Sequence, residues 1–431
     1  MEEVAQSKEK EYSPVTSYCH PVAGATDRQM LALAFVGCVL PDCAEMRTPA
    51  FSPAGQMCQE EMIEAMGRAG LRPSLVVSVR PVSSFPNSRK IWIPRTCGFL
   101  KDGTKVSLIS FLNITPVKQL WIGMKTVWEI VKWAWANRSA EHRVIYSYNL
   151  TVPPGLFTLL AARISRSRAM VSLCDINIPG QTVPDTYANR IDFWLHHKLI
   201  PKFDGHVAVA DAIMEDFAPD KPYVRIDGGI PEALLSERFL TPQSPRDESH
   251  FTIAFAGTLH PVNGLDVLLS AFERIQGSRY RLLVAGGGML ADSVRSAAQA
   301  DPRIRYLGFL SFPDVLDLYK SADLLVCMRP TKSVSTRYFF PSKLMEYLAS
   351  GTPVLATCTG HVEHEYGRFC FLLREETPDA LAAFIQKVAN LPRHDRMAMG
   401  AAAREYMRQN KSWDGQGARI VEFIRETAAK R

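Results

Sequence analysis

Short apolar runs of strand character alternate with helix-like stretches twice along the 431-residue chain, and a polar segment separates the two series. In the first series, from about Gln29 to Gly180, "MLALAFVGCVL", "LVVSV", "KVSLIS", "RVIYSY" and "AMVSLCD" read as strands. "QEEMIEAMGRAG" reads as a helix with Met62, Met66 and Ala69 on one face. Near-continuous apolar strands between helices imply a parallel sheet covered on both sides. The pattern stops at Leu240–His250, "LTPQSPRDESH", whose Pro/Ser-rich polarity predicts a linker. It restarts with the strands "FTIAFAG", "RLLVAGGG", "IRYLGF", "DLLVCM" and "TPVLAT", interleaved with helices such as "GLDVLLSAFERI", "PDVLDLYKSA" and "PDALAAFIQKVANL". The predicted division is a tail (1–28), an amino-terminal α/β domain (29–240), a linker (241–250), a carboxy-terminal α/β domain (251–410) and a final helix (411–431) that can pack back on the first domain. Two doubly wound halves place a cleft between them, at the carboxyl ends of the strands where open α/β sheets bind ligands.

Composition narrows the setting. Hydrophobic residues at 47% and charged residues at 22% suit a soluble globular protein. A net charge of +6 favours anionic ligands or an anionic membrane surface. The nine cysteines are scattered without a C-x-x-C pair, which predicts reduced thiols in a cytosolic protein and neither a zinc site nor a disulfide framework. "MEEVAQSKEKEYSP" is charged and lacks an apolar core, so it predicts a frayed tail and no signal peptide. No uncharged apolar run reaches the ~20 residues a spanning helix needs.

The segment "RPTKSVSTRYFFPSKLMEYLASGTPV" gathers Arg329, Lys332, Arg337 and Lys343 ahead of a single acid, Glu346. Pro341 and Ser342 predict a helix start that leaves the amides of Lys343, Leu344 and Met345 pointing outward. Such an end carries about half a positive charge and takes phosphate readily. Glu346, one turn in on the side of Ser342, is placed to accept from a vicinal diol such as the ribose hydroxyls. The competing reading is a helix-dipole acid beside a solvated basic loop. Gly257 and Gly286–Gly288 follow strands, where a missing side chain lets backbone approach a ligand or merely closes a turn. No Asp-x-Asp occurs, so no metal and no cofactor are expected.

From Phe251 to Arg425 the pieces "FAGTLHPVNGLDVLLSAF", "LLVAGGG", "IRYLGFLSFPDVLDLYKSADLLV", "FPSKLMEYLASGTPVLAT", "DALA" and "KSWDGQGARI" occur in an order and spacing that resemble retaining glycosyltransferases of the GT-B fold, family-4-like, of the bacterial glycan-assembly type. "FDGHVAVA" and "RIDGGIPEALLSERF" match more loosely. The resemblance implies two Rossmann-like domains facing a cleft, an acceptor-side first domain and a second that binds a nucleoside-diphosphate sugar. It implies transfer to a glycan or lipid-linked acceptor in polysaccharide or glycolipid biosynthesis, with no nucleic-acid partner. Carried over by position, donor contacts fall on Gly55 (a loop glycine against phosphate), Gly257, Thr258, Gly287, Phe309 in the base-reading loop, Arg337, Ser342, Lys343, Leu344 and Glu346. Catalytic roles fall on Asp175, at a strand end, and on Lys343. The chain departs from relatives at Tyr338, where the first acid of a Glu-x7-Glu pair is common, and at Thr258 and Asn263, where Arg and Lys are common. Arg337 and Lys343 are the cations expected to compensate. Alternatives are a nucleotide-sugar epimerase or hydrolase on this fold, or a non-catalytic membrane-associated subunit of a glycan assembly complex.

"PVKQLWIGMKTVWEIVKWAWANR" holds four of the seven tryptophans, with Lys118, Lys125 and Lys132 seven apart. Trp and Lys on one helix suit a membrane interface, and equally a domain core. Location is therefore read as cytoplasmic, or peripheral on the inner face of the plasma membrane. His196 and His197 read as surface or core residues of a helix.

Overall fold

The computed structural model describes residues 30–41, 48, 51–149, 154–174, 176–236, 249–332 and 335–430. The predicted tail, most of the predicted linker and Asp175 lie outside these residues.

The first domain contains β1 (Leu31–Gly37), β2 (Leu75–Ser78), β3 (Trp92–Ile93), β4 (Thr96–Phe99), β5 (Lys105–Leu108), β6 (Phe111–Leu112), β7 (His142–Tyr148), β8 (Arg168–Leu173), β9 (Gly205–Ala208) and β10 (Tyr223–Arg225). Its main sheet runs β10-β9-β8-β7-β1-β2-β5-β4, parallel except for the β4–β5 pair. After Leu31 every residue of β1 is buried, and Phe35 is in register with Val76 on one side and Tyr146 on the other. The second domain contains β11 (Phe251–Ala256), β12 (Tyr280–Ala285), β13 (Ile304–Gly308), β14 (Leu324–Cys327), β15 (Val354–Thr357) and β16 (Phe371–Leu373). Their order is β13-β12-β11-β14-β15-β16, all parallel. The strand order reverses at β1/β7 and at β11/β14, so each sheet opens a crevice there at its carboxyl edge.

All ten strands expected from apolar runs are present. The strands that sequence missed are short or interrupted by polar residues. In β9 the interruption is His206, fully buried with Ile200 O 2.8 Å from its Nε2 as a hydrogen-bond partner. The helix Pro53–Arg68 also starts earlier than its sequence suggests. Ser52 caps it by accepting from the Gly55 amide at 3.2 Å, so Gly55 sits in the first helical turn and not in a loop.

The domains share an apolar core that runs from Val171, Phe203 and Phe217 to Phe340, Met345 and Tyr366. The last helix, Trp413–Ala429, lies on the helix Pro53–Arg68 and against β7, β9 and β10. Gly417 allows that approach, because a Cβ there would fall 2.6 Å from the Ala65 Cβ. The helix Trp413–Ala429 therefore covers one face of the first domain's sheet.

In the helix Val117–Ala136 the tryptophans divide between core and surface. Trp133 is buried and its indole N–H donates to Ser74 Oγ at 2.9 Å, whereas Trp128 and Trp135 face solvent. Lys118 turns inward to Val82 O, so the seven-residue lysine spacing does not form one stripe. His196 is buried with Nδ1 2.8 Å from Asp192 O, and the exposed His197 ring packs on Phe217. No helix among the described residues is long and apolar enough to cross a membrane.

Candidate active site

The helix Ser342–Ser350 begins directly over the β11/β14 crevice. Pro341, in extended backbone, is its cap residue and makes no side-chain capping bond; Ser342 is the first helical residue, not the cap. The Leu344 amide donates to Pro341 O at 2.9 Å, so Leu344 is not one of the outward donors expected from sequence. Gly351, in the left-handed region at φ +76°, ends the helix. Leu344, Met345, Tyr347 and Leu348 form its buried side. The Tyr347 hydroxyl accepts from the Ala256 amide at 2.9 Å and donates to Ala256 O at 3.1 Å. This pair of bonds ties the helix start to the end of β11.

Lys343 is consequently folded over the β11 terminus. A Cβ on Gly257 would fall 2.5 Å from Lys343 Cε and 3.2 Å from its Nζ. What approaches Gly257 is a lysine of the same chain. The other glycines likewise serve backbone packing: a Cβ on Gly286 would meet Gly257 O at 1.8 Å, and one on Gly287 would meet the Phe309 ring at 2.2 Å. Phe309 is otherwise open to solvent. Thr258 O accepts from Asn263 Nδ2 at 2.8 Å, and Thr258, Asn263 and Lys343 line one small cavity of about 220 Å³.

Glu346, three residues on from Lys343, faces the adjoining cavity. Its Oε2 accepts from the Tyr319 hydroxyl at 3.1 Å. Burial, then the neighbouring Tyr347 and Glu346 itself, hold Tyr319 well above its ordinary pKa, so it remains a donor. A carboxylate has about four lone-pair sites, which leaves Glu346 able to accept from a diol. Ser52, Gly55, Cys174, Ser342 and Glu346 line a second cavity of about 340 Å³. Two helix starts, at Pro53 and Ser342, thus converge on one interdomain space, and both favour anions. A larger lobe of about 1140 Å³ adjoins it, with Asn149, Thr182 and His196 from the first domain facing Arg329, Lys332 and Tyr338 from the second. Cys174, directly after β8, lines the smaller space, and Ile176 lines the larger.

Arg337 is not at the helix start. Its guanidinium donates to Asp216 at 2.7 and 2.9 Å and to Glu215 at 3.1 Å, both in the first domain. The Tyr338 hydroxyl donates to the same Asp216 at 2.6 Å. These groups form an interdomain clasp on the cleft rim. Hydrogen bonds from Arg337 and then Tyr338 hold the Asp216 carboxyl below its usual range. Of the two cations expected to compensate for the missing basic pair, only Lys343 lies at the strand end.

A second interdomain contact had no sequence signal. Asp227, after β10, is buried with its carboxylate 3.1 Å from His361 Nε2 and 3.0 and 3.2 Å from Lys411 Nζ. Tyr366 donates to it at 2.5 Å, and Lys411 also pairs with Glu365. Burial alone would raise the Asp227 pKa, but the bonds from His361 and Tyr366 and the Lys411 charge outweigh it and lower it. Asp227, His361 and Glu365 are close enough together to hold a metal ion. The Lys411 ammonium already stands between the two carboxylates and supplies the positive charge such an ion would bring. Gly228, the next residue, packs on Met345, where a Cβ would lie 2.8 Å from the sulfur. The buried pair therefore braces the helix that carries Glu346.

Residues 250–390 match the family described as glycosyl transferases group 1. The fold is that of GT-B enzymes. HepE of Anabaena, solved with UDP and glucose, superposes with a TM-score of 0.62 at 17% identity, covering 91% of this chain and 99% of that one. Sucrose-phosphate synthase of Thermosynechococcus elongatus gives 0.64 at 14% identity over 92% and 98%, and a glycosyltransferase of Rickettsia africae gives 0.66 at 14% over 93% and 100%. The chain has the GT-B fold, and residues 250–390 are where it is similar to the group 1 glycosyl transferases. The GDP-mannose-dependent monoacylated α-(1-6)-phosphatidylinositol monomannoside mannosyltransferase of Corynebacterium glutamicum is 26% identical over 211 residues, 45% of this chain. That match spans 55% of the mannosyltransferase's own length. In this GT-B-fold protein the crevice at β11/β14 has Lys343 at the β11 terminus, with Thr258 and Asn263 lining the same small cavity.

Proposed function

We propose that this GT-B protein is a retaining, metal-independent glycosyltransferase that moves a sugar from a nucleoside-diphosphate donor to a glycan or lipid-linked acceptor. The observation that carries this reading is the position of Lys343 against Gly257, beside two converging helix starts and one turn from Glu346. Glu346 accepts from the ribose diol. Lys343 and the helix amides hold the diphosphate and stabilise the charge that grows on it as the sugar leaves, the electrostatic strategy of a preorganised site. Those groups are part of the chain, so the leaving group is neutralised without a metal. The acceptor enters through the larger lobe, and Asp175, which follows β8 in the sequence, is the residue assigned to orient its hydroxyl or take its proton. The UDP and glucose in the HepE structure, and the GDP-mannose and monoacylated phosphatidylinositol monomannoside in the name of the Corynebacterium enzyme, support a donor and acceptor of these classes.

Incubation with a panel of nucleotide sugars, with and without lipid and glycan acceptors, tests the reading through released nucleotide and product anomer. Acceptor-dependent release that survives EDTA, with the donor's anomeric configuration kept, is expected. Release without acceptor would make the protein a hydrolase, and silence with every donor would leave a non-catalytic subunit. A rate that collapses in EDTA and returns with Mg²⁺ or Mn²⁺ ends the metal-free mechanism.

Lys343→Met is expected to weaken UDP or GDP about ten- to a hundred-fold and leave the bare nucleoside unaffected, since a bond to a charged group contributes roughly 1.5–3 kcal/mol. Calorimetry with both ligands checks this. Equal losses for nucleoside and diphosphate would make Lys343 a structural residue of the β11 terminus.

A further inference from the structure

A helix on the surface of an α/β domain normally turns a polar stripe to water. On the helix Val117–Ala136 the exposed side is instead mainly apolar. Its outward positions at helical spacing are Val117, Leu120, Met124, Trp128 and Trp135, and the last four are 55%, 58%, 60% and 71% exposed. The neighbouring helix Pro154–Ser165, which packs so closely that a Cβ on Gly123 would fall 2.0 Å from the Phe157 ring, exposes Leu156, Leu160 and Ile164. Exposed Trp92 stands edge-on to Trp121 at 5.8 Å and extends the apolar surface onto the β3–β6 pair. Contiguous apolar surface of this kind marks an interaction site.

Its rim is basic. Residues 85–138 hold nine Lys and Arg against two acids, in a chain whose net charge is +6 overall. Both acids are engaged, Glu129 with Arg95 at 3.2 Å and Asp102 with Arg72 at 3.5 Å. Lys132, Arg138 and Arg163 are exposed beside the stripes, and the Arg138 guanidinium lies 4.9 Å over the Trp135 ring. Two copies meeting through this face would oppose like charges, whereas an anionic surface neutralises them. Trp rings with a polar edge and lysines on long stems are the side chains that settle at a lipid headgroup layer.

We propose that the face built from the helices Val117–Ala136 and Pro154–Ser165 docks on an anionic phospholipid bilayer. A helix that links parallel strands runs back along the sheet, so the Val117 and Leu156 ends lie at the carboxyl edge of the strands, where the cleft opens. Docked there, the bilayer borders the acceptor entrance; only this last point rests on the transferase reading.

The test is co-sedimentation of the full chain with vesicles of equimolar phosphatidylcholine and phosphatidylglycerol, and with phosphatidylcholine alone. Binding to the anionic vesicles with a blue shift of Trp fluorescence is expected, and little binding to the neutral ones. One basic residue at an anionic leaflet contributes about five-fold. Lys125→Glu/Lys132→Glu and Trp128→Ser/Trp135→Ser are each expected to lower partitioning ten-fold or more, in proteins that circular dichroism shows to be folded. Equal partitioning of wild type and variants overturns the proposal, as does the absence of binding to anionic vesicles. So does a dimer in light scattering that these substitutions disperse. Nucleotide affinity measured on the same samples keeps the two readings apart. Vesicle binding without nucleotide binding ends the transferase reading alone, and the reverse ends only the docking surface.

Discussion

Glu346→Ala is expected to lower affinity for UDP or GDP by two orders of magnitude or more in a protein that remains folded. Each hydrogen bond from a ribose hydroxyl to the carboxylate contributes roughly 1.5–3 kcal/mol, and a diol makes two. The side chain is half-buried at the cavity edge, and its substitution deprives the Tyr319 hydroxyl of its acceptor at 3.1 Å. That loss costs about 1–3 kcal/mol, so a modest fall in the unfolding midpoint accompanies the loss of binding. Glu346→Gln keeps one acceptor oxygen and should fall between alanine and wild type. Calorimetry that returns an unchanged dissociation constant for the alanine variant would end the ribose assignment.

Lys411→Met is expected to destabilise the protein by about 3–5 kcal/mol, the usual cost of leaving one member of a buried ion pair alone. Asp227 would keep its bonds from His361 and Tyr366 but lose the ammonium that neutralises it and Glu365. Urea denaturation of the variant beside wild type measures the difference. The double variant Lys411→Met/Asp227→Leu should recover part of it, because the buried Asp227 charge goes with its partner and Glu365 keeps its pair with Arg225. A loss under about 1 kcal/mol for the single variant would show that the pair contributes little. The same cluster sets a pH dependence. Asp227 is lowered below the ordinary carboxylate value of about 3.9, so its contribution is fully present above that pH and drains away as the pH falls through the lower folded value. Wild-type stability should therefore drop below about pH 4 more steeply than that of the double variant.

The positions that sequence located well are those governed by neighbours three or four residues away, or by alternation along a strand. Apolar runs named ten strands, because strands buried on both faces are built mostly of apolar side chains, with small Ser and Thr between them. Ser342 and Glu346 share one side of a helix start because they are four residues apart, a relation that holds wherever the helix is placed. The exposure of Trp128 and the burial of Trp133 follow less directly, since both belong to a helix that is apolar nearly all round.

Partners distant in the chain were decided only by the tertiary structure. Composition showed an excess of cations before Glu346 but could not apportion them. Lys343 folds over Gly257 because Tyr347 fastens its helix to Ala256, while Arg337 turns away to Asp216, 121 residues earlier. Lys118 leaves its apparent stripe for Val82 O, and Asp227 finds Lys411 across 184 residues. A charge takes whichever opposite partner the packed domains bring within reach, and its energy depends on the burial they impose. Periodicity records the local geometry of the backbone. It contains nothing about which surfaces meet, and in this protein the meeting of two domains decides which of the basic residues stands at the site.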